Sequence, residues 1–121
     1  MQNINPAQQR SIERATVLPG ETFKHVALDW HKSNRTWSET HAARLLASMN
    51  NHIFPTIGDL PVTELKTRHF IELLKGIEAK GLLEVASRTR QHMYSIMRHA
   101  VHQELIENNP AAGLEGITAP P

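Results

Sequence analysis

The sequence predicts an all-α fold, a four-helix bundle with short connections. Three observations carry that expectation. Apolar residues recur at three- and four-residue steps in four separate stretches. No stretch alternates apolar and polar residues over strand length. Every proline, and every glycine but Gly76, falls between the periodic stretches rather than within them.

The first helix is expected over about 22–34. Thr22 can cap it, and Phe23, Val26, Ala27 and Trp30 fall on one face, with Lys24, Asp29, His31 and Lys32 on the other. Ser33–Thr36 breaks the pattern. Ser38 is a good N-cap for a second helix, with Glu39 favourable in its first turn and Ala42, Leu45, Leu46, Met49 and Ile53 as its buried stripe. Pro55 and Gly58 end that helix in a turn. The connection 59–67 holds Pro61, Val62 and Leu65, expected to pack on the core. A third helix runs over about 67–80, buries Phe70, Ile71, Leu73, Leu74 and Ile77, and stops at Gly81, a suitable C-cap residue. The fourth and longest is expected over about 84–107, buries Met93, Ile96, Met97, Ala100, Val101 and Leu105, and is closed by Asn108, Asn109 and Pro110.

Residues 1–21, with Pro6, Pro19 and Gly20 among polar residues, read as a linker or mobile tail with a helical turn around Ala7–Ala15. Residues 22–114 form the domain, and 115–121 read as a further linker. The 121-residue length suits one domain. With no cysteine, disulfides and thiolate metal sites are excluded. No apolar run approaches the ~20 residues of a membrane span, and no signal-peptide pattern opens the chain, so a cytoplasmic location is expected. The 13 lysines and arginines nearly balance the 12 acidic residues, so only local clustering of charge can argue for an anionic partner.

Taken in order, several residues form a familiar series. Thr22-Phe23, Ala27 and Trp30 open the first helix, and Trp37-Ser38-x-Thr40 starts the second. Pro55-x-x-Gly58-x-x-Pro61-Val62-x-x-Leu65, Ala86-x-Arg88 and Ala100-Val101-x-x-x-Leu105-Ile106-x-x-Asn109-Pro110-Ala111 follow. Over about 22–114 the chain resembles the N-terminal core-binding, SAM-like domain of prophage-type tyrosine recombinases, the phage integrases. One departure is Glu104, which stands where members of that family often carry glycine. The resemblance implies a helical bundle forming half of a C-shaped clamp on double-stranded DNA. The other half would be a catalytic domain that follows the Asn-Pro-Ala segment in the family. It implies core-type recombination sites as target, recombinase protomers on DNA as partners, and a role in phage DNA integration or excision. No cofactor, membrane or small-molecule substrate is expected.

A grip on duplex DNA needs cations and small donors on one face. The last helix offers Arg88, Arg90, Gln91, Ser95 and Arg98 off its apolar stripe. Of these, Arg88, Gln91, Ser95 and Arg98 lie three or four apart and share one side. No acidic residue occurs from Val85 to Gln103, which is the strongest sign of an anionic partner readable from the residues themselves. A second patch, Lys32, Arg35, Thr36, Ser38, Thr40, His41 and Arg44, surrounds the start of the second helix. Backbone N–H groups there favour a phosphate, although Glu39 weakens the field. Against this stands the simpler view that any solvated helix face carries arginine and glutamine at such spacing.

Other motifs point nowhere further. His41-x-x-Arg44 matches the H-x-x-R string of recombinase active sites and Tyr94 is the single tyrosine, but in the family the nucleophile and its partners belong to the catalytic domain. The match reads as coincidence, and no catalysis is expected. His92, His99 and His102 read as exposed or DNA-facing rather than metal ligands, Trp30 and Trp37 as packing residues, and Met93 and Met97 as core filler. The rival function is a helical protein–protein module docking recombinase subunits or an accessory factor, which calls for an exposed apolar patch.

Overall fold

A computed structural model describes residues 21–117 of the chain. Apart from Glu21, the tail expected over 1–21, including its helical turn, lies outside the described residues, as does the 115–121 linker beyond Ile117. Among the described residues five α-helices follow in order: α1 Phe23–Ser33, α2 Glu39–His52, α3 Phe54–Ile57, α4 Thr67–Ala79 and α5 Leu83–His102, with a 3-10 turn at Val62–Glu64 before α4. The same residues hold no strand, only an isolated bridge between Thr22 and Pro61.

The start of α1 shows how the chain closes on itself. The Thr22 hydroxyl accepts from the His25 amide at 3.2 Å, which satisfies one of the helix's unpaired first-turn donors. Two more are satisfied from a distant turn: the Phe23 amide donates to the Leu60 carbonyl and the Lys24 amide to the Gly58 carbonyl, each at 2.9 Å. The Pro55–Pro61 segment therefore serves as a backbone cap for α1. Gly58 is required there, because a Cβ would stand 2.7 Å from the Phe54 carbonyl oxygen.

The expected turn at Pro55 is helical. Proline is tolerated in a first helical turn, where its missing N–H breaks no bond, and Pro55 is the second residue of the single turn of α3, after Phe54. The four expected helices are thus present with this short fifth one between the second and third.

Phe23, Met49, Ile53, Ile57, Phe70, Leu74, Met93, Ile96, Met97 and Leu114 are the large apolar residues at the centre. Phe23 meets Phe54 edge-on and Phe70 at a tilt, both with centroids 6.4 Å apart. Each such side chain contributes about 1.5–3 kcal/mol by leaving water. The expected stripes are the ones buried, although Trp30, Ala42, Leu46, Ile71, Val101 and Leu105 are only half-buried. Helix α5 packs most closely on α4 and α1, while α2 stands off from it. That separation leaves a groove.

The last helix ends earlier than expected, at His102 rather than near Glu107. Glu104 takes φ +63°, a left-handed conformation that turns the backbone out of the helix. The Leu105 amide then donates to the Ala100 carbonyl at 3.0 Å and the Glu104 amide to the Val101 carbonyl at 2.9 Å, the hydrogen-bond pair of a Schellman motif. Helix α4 ends in the same way at Gly81, φ +81°, with Gly81 and Leu82 donating to Glu78 and Ile77. Beyond α5, the Asn109 side chain donates to the Tyr94 carbonyl at 3.1 Å and accepts from the Ala111 amide at 2.8 Å. Thr67 donates to the Pro110 carbonyl at 2.8 Å. These bonds fold the Asn-Pro-Ala segment back so that Ala111 and Leu114 are buried.

Candidate nucleic-acid interface

Part of each of the two basic patches read separately from the sequence, His41 and Arg44 from one and Arg88 from the other, meets in space. On α2, His41, Arg44, Leu45, Ser48 and His52 form one helical stripe, because residues three or four apart are surface neighbours. On α5, Val85, Arg88 and His92 do the same. The two stripes line a single groove of about 300 Å³. Leu45 and Val85 supply its apolar part, and the remaining lining residues are histidine, arginine and serine, none of them acidic.

Local structure holds this arrangement. The Ser38 side chain caps α2 by accepting from the His41 amide at 3.1 Å. His31 of α1 donates from Nε2 to the Ala42 carbonyl at 2.7 Å, pinning α1 to the first turn of α2. Trp30 and Trp37 meet edge-on at 5.3 Å, and Trp37 in turn packs edge-on against His41 at 5.3 Å. Trp30 lies 6.5 Å from the His92 ring. The tryptophans, both half-buried, thus act as packing residues that brace the groove's histidines.

Arg88 is paired with Glu84 one turn earlier, at 2.6 Å, with both side chains more than 60% exposed (69% and 63%). An exposed pair of this kind contributes only about 0–1 kcal/mol, so a phosphate can displace the carboxylate. Neither Arg44 nor Arg98 has an ion-pair partner among the described residues, and both are exposed. His92 is largely buried, and burial, with His41 and Arg88 adding repulsion, lowers its pKa to about 4. Its Nδ1 atom is buried without a hydrogen-bond partner.

The other expected residues are placed as follows. Gln91, Ser95 and Arg98 continue the Arg88 side of α5 beyond the groove, with Gln91 and Arg98 exposed and Ser95 half-buried. Lys32, Arg35, Thr36 and Thr40 are exposed around the α1–α2 turn and do not line the groove. Arg90 stands apart. Two residues along a helix is a rotation of about 200°, which carries it away from Arg88, and it is half-buried with Nε unpartnered.

Sequence reasoning misses Ser48 and His52 as lining residues, and His92, read as exposed or DNA-facing, is instead half-buried in the groove wall. The signal for the first two is present: they follow Arg44 at four-residue steps on α2. The acid-free window is also incomplete in space, because Asp29 of α1 reaches α5 and bonds His99 Nε2 at 2.8 Å. That bond occupies one of the three histidines of α5. No helix among the described residues is long and apolar enough to cross a membrane.

Comparison with known proteins agrees with this architecture. The chain is 39% identical over 116 residues to the protein IntB of Escherichia coli (strain K12), covering 96% of this chain and 29% of that protein. It is 38% identical over 116 residues to the integrase of Enterobacteria phage P4, covering 96% of this chain and 26% of that protein. The chain therefore spans between a quarter and a third of the length of these relatives. Two solved structures share its fold. A fragment of the E. coli phage integrase IntS superposes with TM-score 0.72 at 23% identity, covering 81% of this chain and 84% of that one. An integrase-like domain from Bacillus cereus gives TM-score 0.73 at 20% identity, covering 85% and 86%. Residues 23–117 match the family model described as the phage integrase central domain, and the chain belongs to that family.

Proposed function

We propose that this chain is the DNA-binding domain of a site-specific tyrosine recombinase. In this reading it grips core-type recombination-site DNA during phage or prophage integration or excision and leaves the chemistry to a catalytic domain of the parent recombinase. The observation that carries the proposal is the convergence of Arg44 and Arg88, from two helices, on one groove lined without carboxylates. Gln91, Ser95 and Arg98 extend that surface along α5, and Ser38, Thr40 and His41 extend it around the start of α2. Lys32, Arg35 and Thr36 would flank it, whereas Arg90 is assigned no role because it lies on the far side of α5.

The chemistry is phosphate recognition. Guanidinium groups offer paired, charge-assisted donors to phosphate oxygens, and small hydroxyls and the amides at the α2 N-terminus add fixed donors. Such contacts position the domain on the duplex, while any sequence preference rests with side chains that reach base edges. The docking-module alternative is less well supported. The large apolar side chains exposed among the described residues are Leu82 and Tyr94, and they lie about 18 Å apart along the axis of α5.

The test is a fluorescence-anisotropy titration of a duplex carrying a core-type site, repeated at rising salt. Binding should weaken steeply with salt, since each neutralised phosphate releases counterions. A binding constant indifferent to salt, or no binding at all at low salt, would overturn the proposal.

A further inference from the structure

We infer that the α2–α5 groove is a discrete seat for a single DNA backbone phosphate, and that His92 serves it as an uncharged hydrogen-bond donor through Nε2. The inference rests on the DNA-binding reading above and adds a residue and a protonation state to it.

The groove's volume of about 300 Å³ exceeds what a phosphate group with its ester oxygens occupies, and its lining combines cations and neutral donors over an apolar base. Arg44 and Arg88 supply charge, and Ser48 supplies a hydroxyl. His41, His52 and His92 supply imidazole nitrogens. Glu84, which pairs with Arg88 at 2.6 Å, is the acidic group next to the site, and it lies outside the lining. From α1, Trp30 packs against the His92 ring, and His31 is turned away onto the Ala42 carbonyl.

The tautomer of His92 follows from what surrounds Nδ1. Nδ1 is buried with no partner. A proton there would be a buried, unsatisfied donor, which is more costly than an unsatisfied lone pair on a polarisable ring. The proton therefore belongs on Nε2, and a second proton, which would have to sit on Nδ1, is excluded at neutral pH. A neutral donor suits a crowded cationic groove: it bonds a phosphate oxygen without adding a third positive charge beside Arg44 and Arg88.

Two measurements test this. In the first, long-range 1H–15N correlation spectra of the full chain report the His92 tautomer directly, and titration with inorganic phosphate and then with the core-site duplex follows the ring. The Nε2–H tautomer should be present before and after ligand, with the Nε2 signal shifting on addition. In the second, duplex affinity is compared between wild type, His92→Phe and His92→Gln, whose amide nitrogen can take the place of Nε2–H. His92→Phe should bind about tenfold more weakly, His92→Gln within about threefold of wild type, and the difference between wild type and His92→Phe should not change from pH 6 to pH 8.

A ring protonated on Nδ1, a His92 signal that ignores the duplex, or a His92→Phe protein binding as tightly as wild type would each overturn the inference. If binding remains salt-dependent and sensitive to Arg44 and Arg88 in those cases, the DNA-binding reading stands and only the phosphate seat fails. If wild type does not bind duplex at all, both fall. Should His92→Phe fail to fold, the wild-type spectra still decide.

Discussion

Arg44 of α2 and Arg88 of α5 line the same groove although the chain between them passes through α3, the 3-10 turn and all of α4. Neither helix alone would present more than a solvated basic face. The pairing arises because α5 packs on α4 and α1 and leaves α2 standing off, so that a cationic edge of each helix lines the groove between them. From this geometry and the caps that hold it, four outcomes are expected.

Replacing Glu104 with glycine should stabilise the fold. Glu104 holds φ +63° at the C′ position of a complete Schellman motif, where a side chain costs about 1–2 kcal/mol that glycine does not. Glycine's greater freedom in the unfolded chain offsets part of that gain. Thermal unfolding followed by circular dichroism should show a midpoint higher by roughly 4 °C or more, as expected for about 1 kcal/mol in a domain of this size. An unchanged or lower midpoint would show that the Glu104 side chain makes compensating interactions.

The Gly58→Ala change should destabilise. Its Cβ would meet the Phe54 carbonyl at 2.7 Å, and the turn that must shift also supplies the carbonyls capping α1 through Lys24 and Phe23. A loss of about 1–3 kcal/mol in urea denaturation is expected, the usual cost of overpacking.

Removing either hydroxyl cap, by Thr22→Ala or Ser38→Ala, should cost about 1 kcal/mol each, because each satisfies a first-turn amide. Ser38→Ala should in addition weaken DNA binding, since the α2 start borders the groove, whereas Thr22→Ala should leave it unchanged. Equal effects on binding would argue that the α2 terminus plays no part in recognition.

Acid should destabilise the domain partly through His92. Its folded pKa lies near 4 against 6.5 for a free histidine, chiefly because burial disfavours the charged ring. Between those values the unfolded chain binds more protons than the folded one, so stability is complete above about pH 6.5 and declines as pH falls towards 4. The contribution at stake is on the order of 3 kcal/mol. Urea midpoints measured across this range should fall less steeply in His92→Gln than in wild type.

How far the sequence foretells this molecule depends on whether the deciding interaction is local. Thr22, Ser38 and Gly81 act through neighbours within one turn, and each does what its residue type announces. The end of α5 is hidden because periodicity continues through Leu105 while a glutamate, not a glycine, occupies the left-handed position. Pro55 reads as a breaker, yet it sits where a helix's first turn tolerates it. The site is legible as two basic patches but not as one groove. That Arg90 does not join Arg88 follows from helical periodicity alone, whereas the convergence of Arg88 with Arg44 and the intrusion of Asp29 beside His99 are consequences of how helices pack.

The central claim is tested most directly by measuring duplex affinity against salt for wild type, the double variant Arg44→Ala/Arg88→Ala, and Arg68→Ala, an exposed cation on α4 that does not line the groove. The double variant should bind at least about tenfold more weakly at ~0.1 M salt, with its log–log salt slope shallower by about 2, roughly one unit for each phosphate that is no longer neutralised. Arg68→Ala should match wild type in both respects. A double variant with wild-type affinity and slope would contradict the assignment of this groove to DNA.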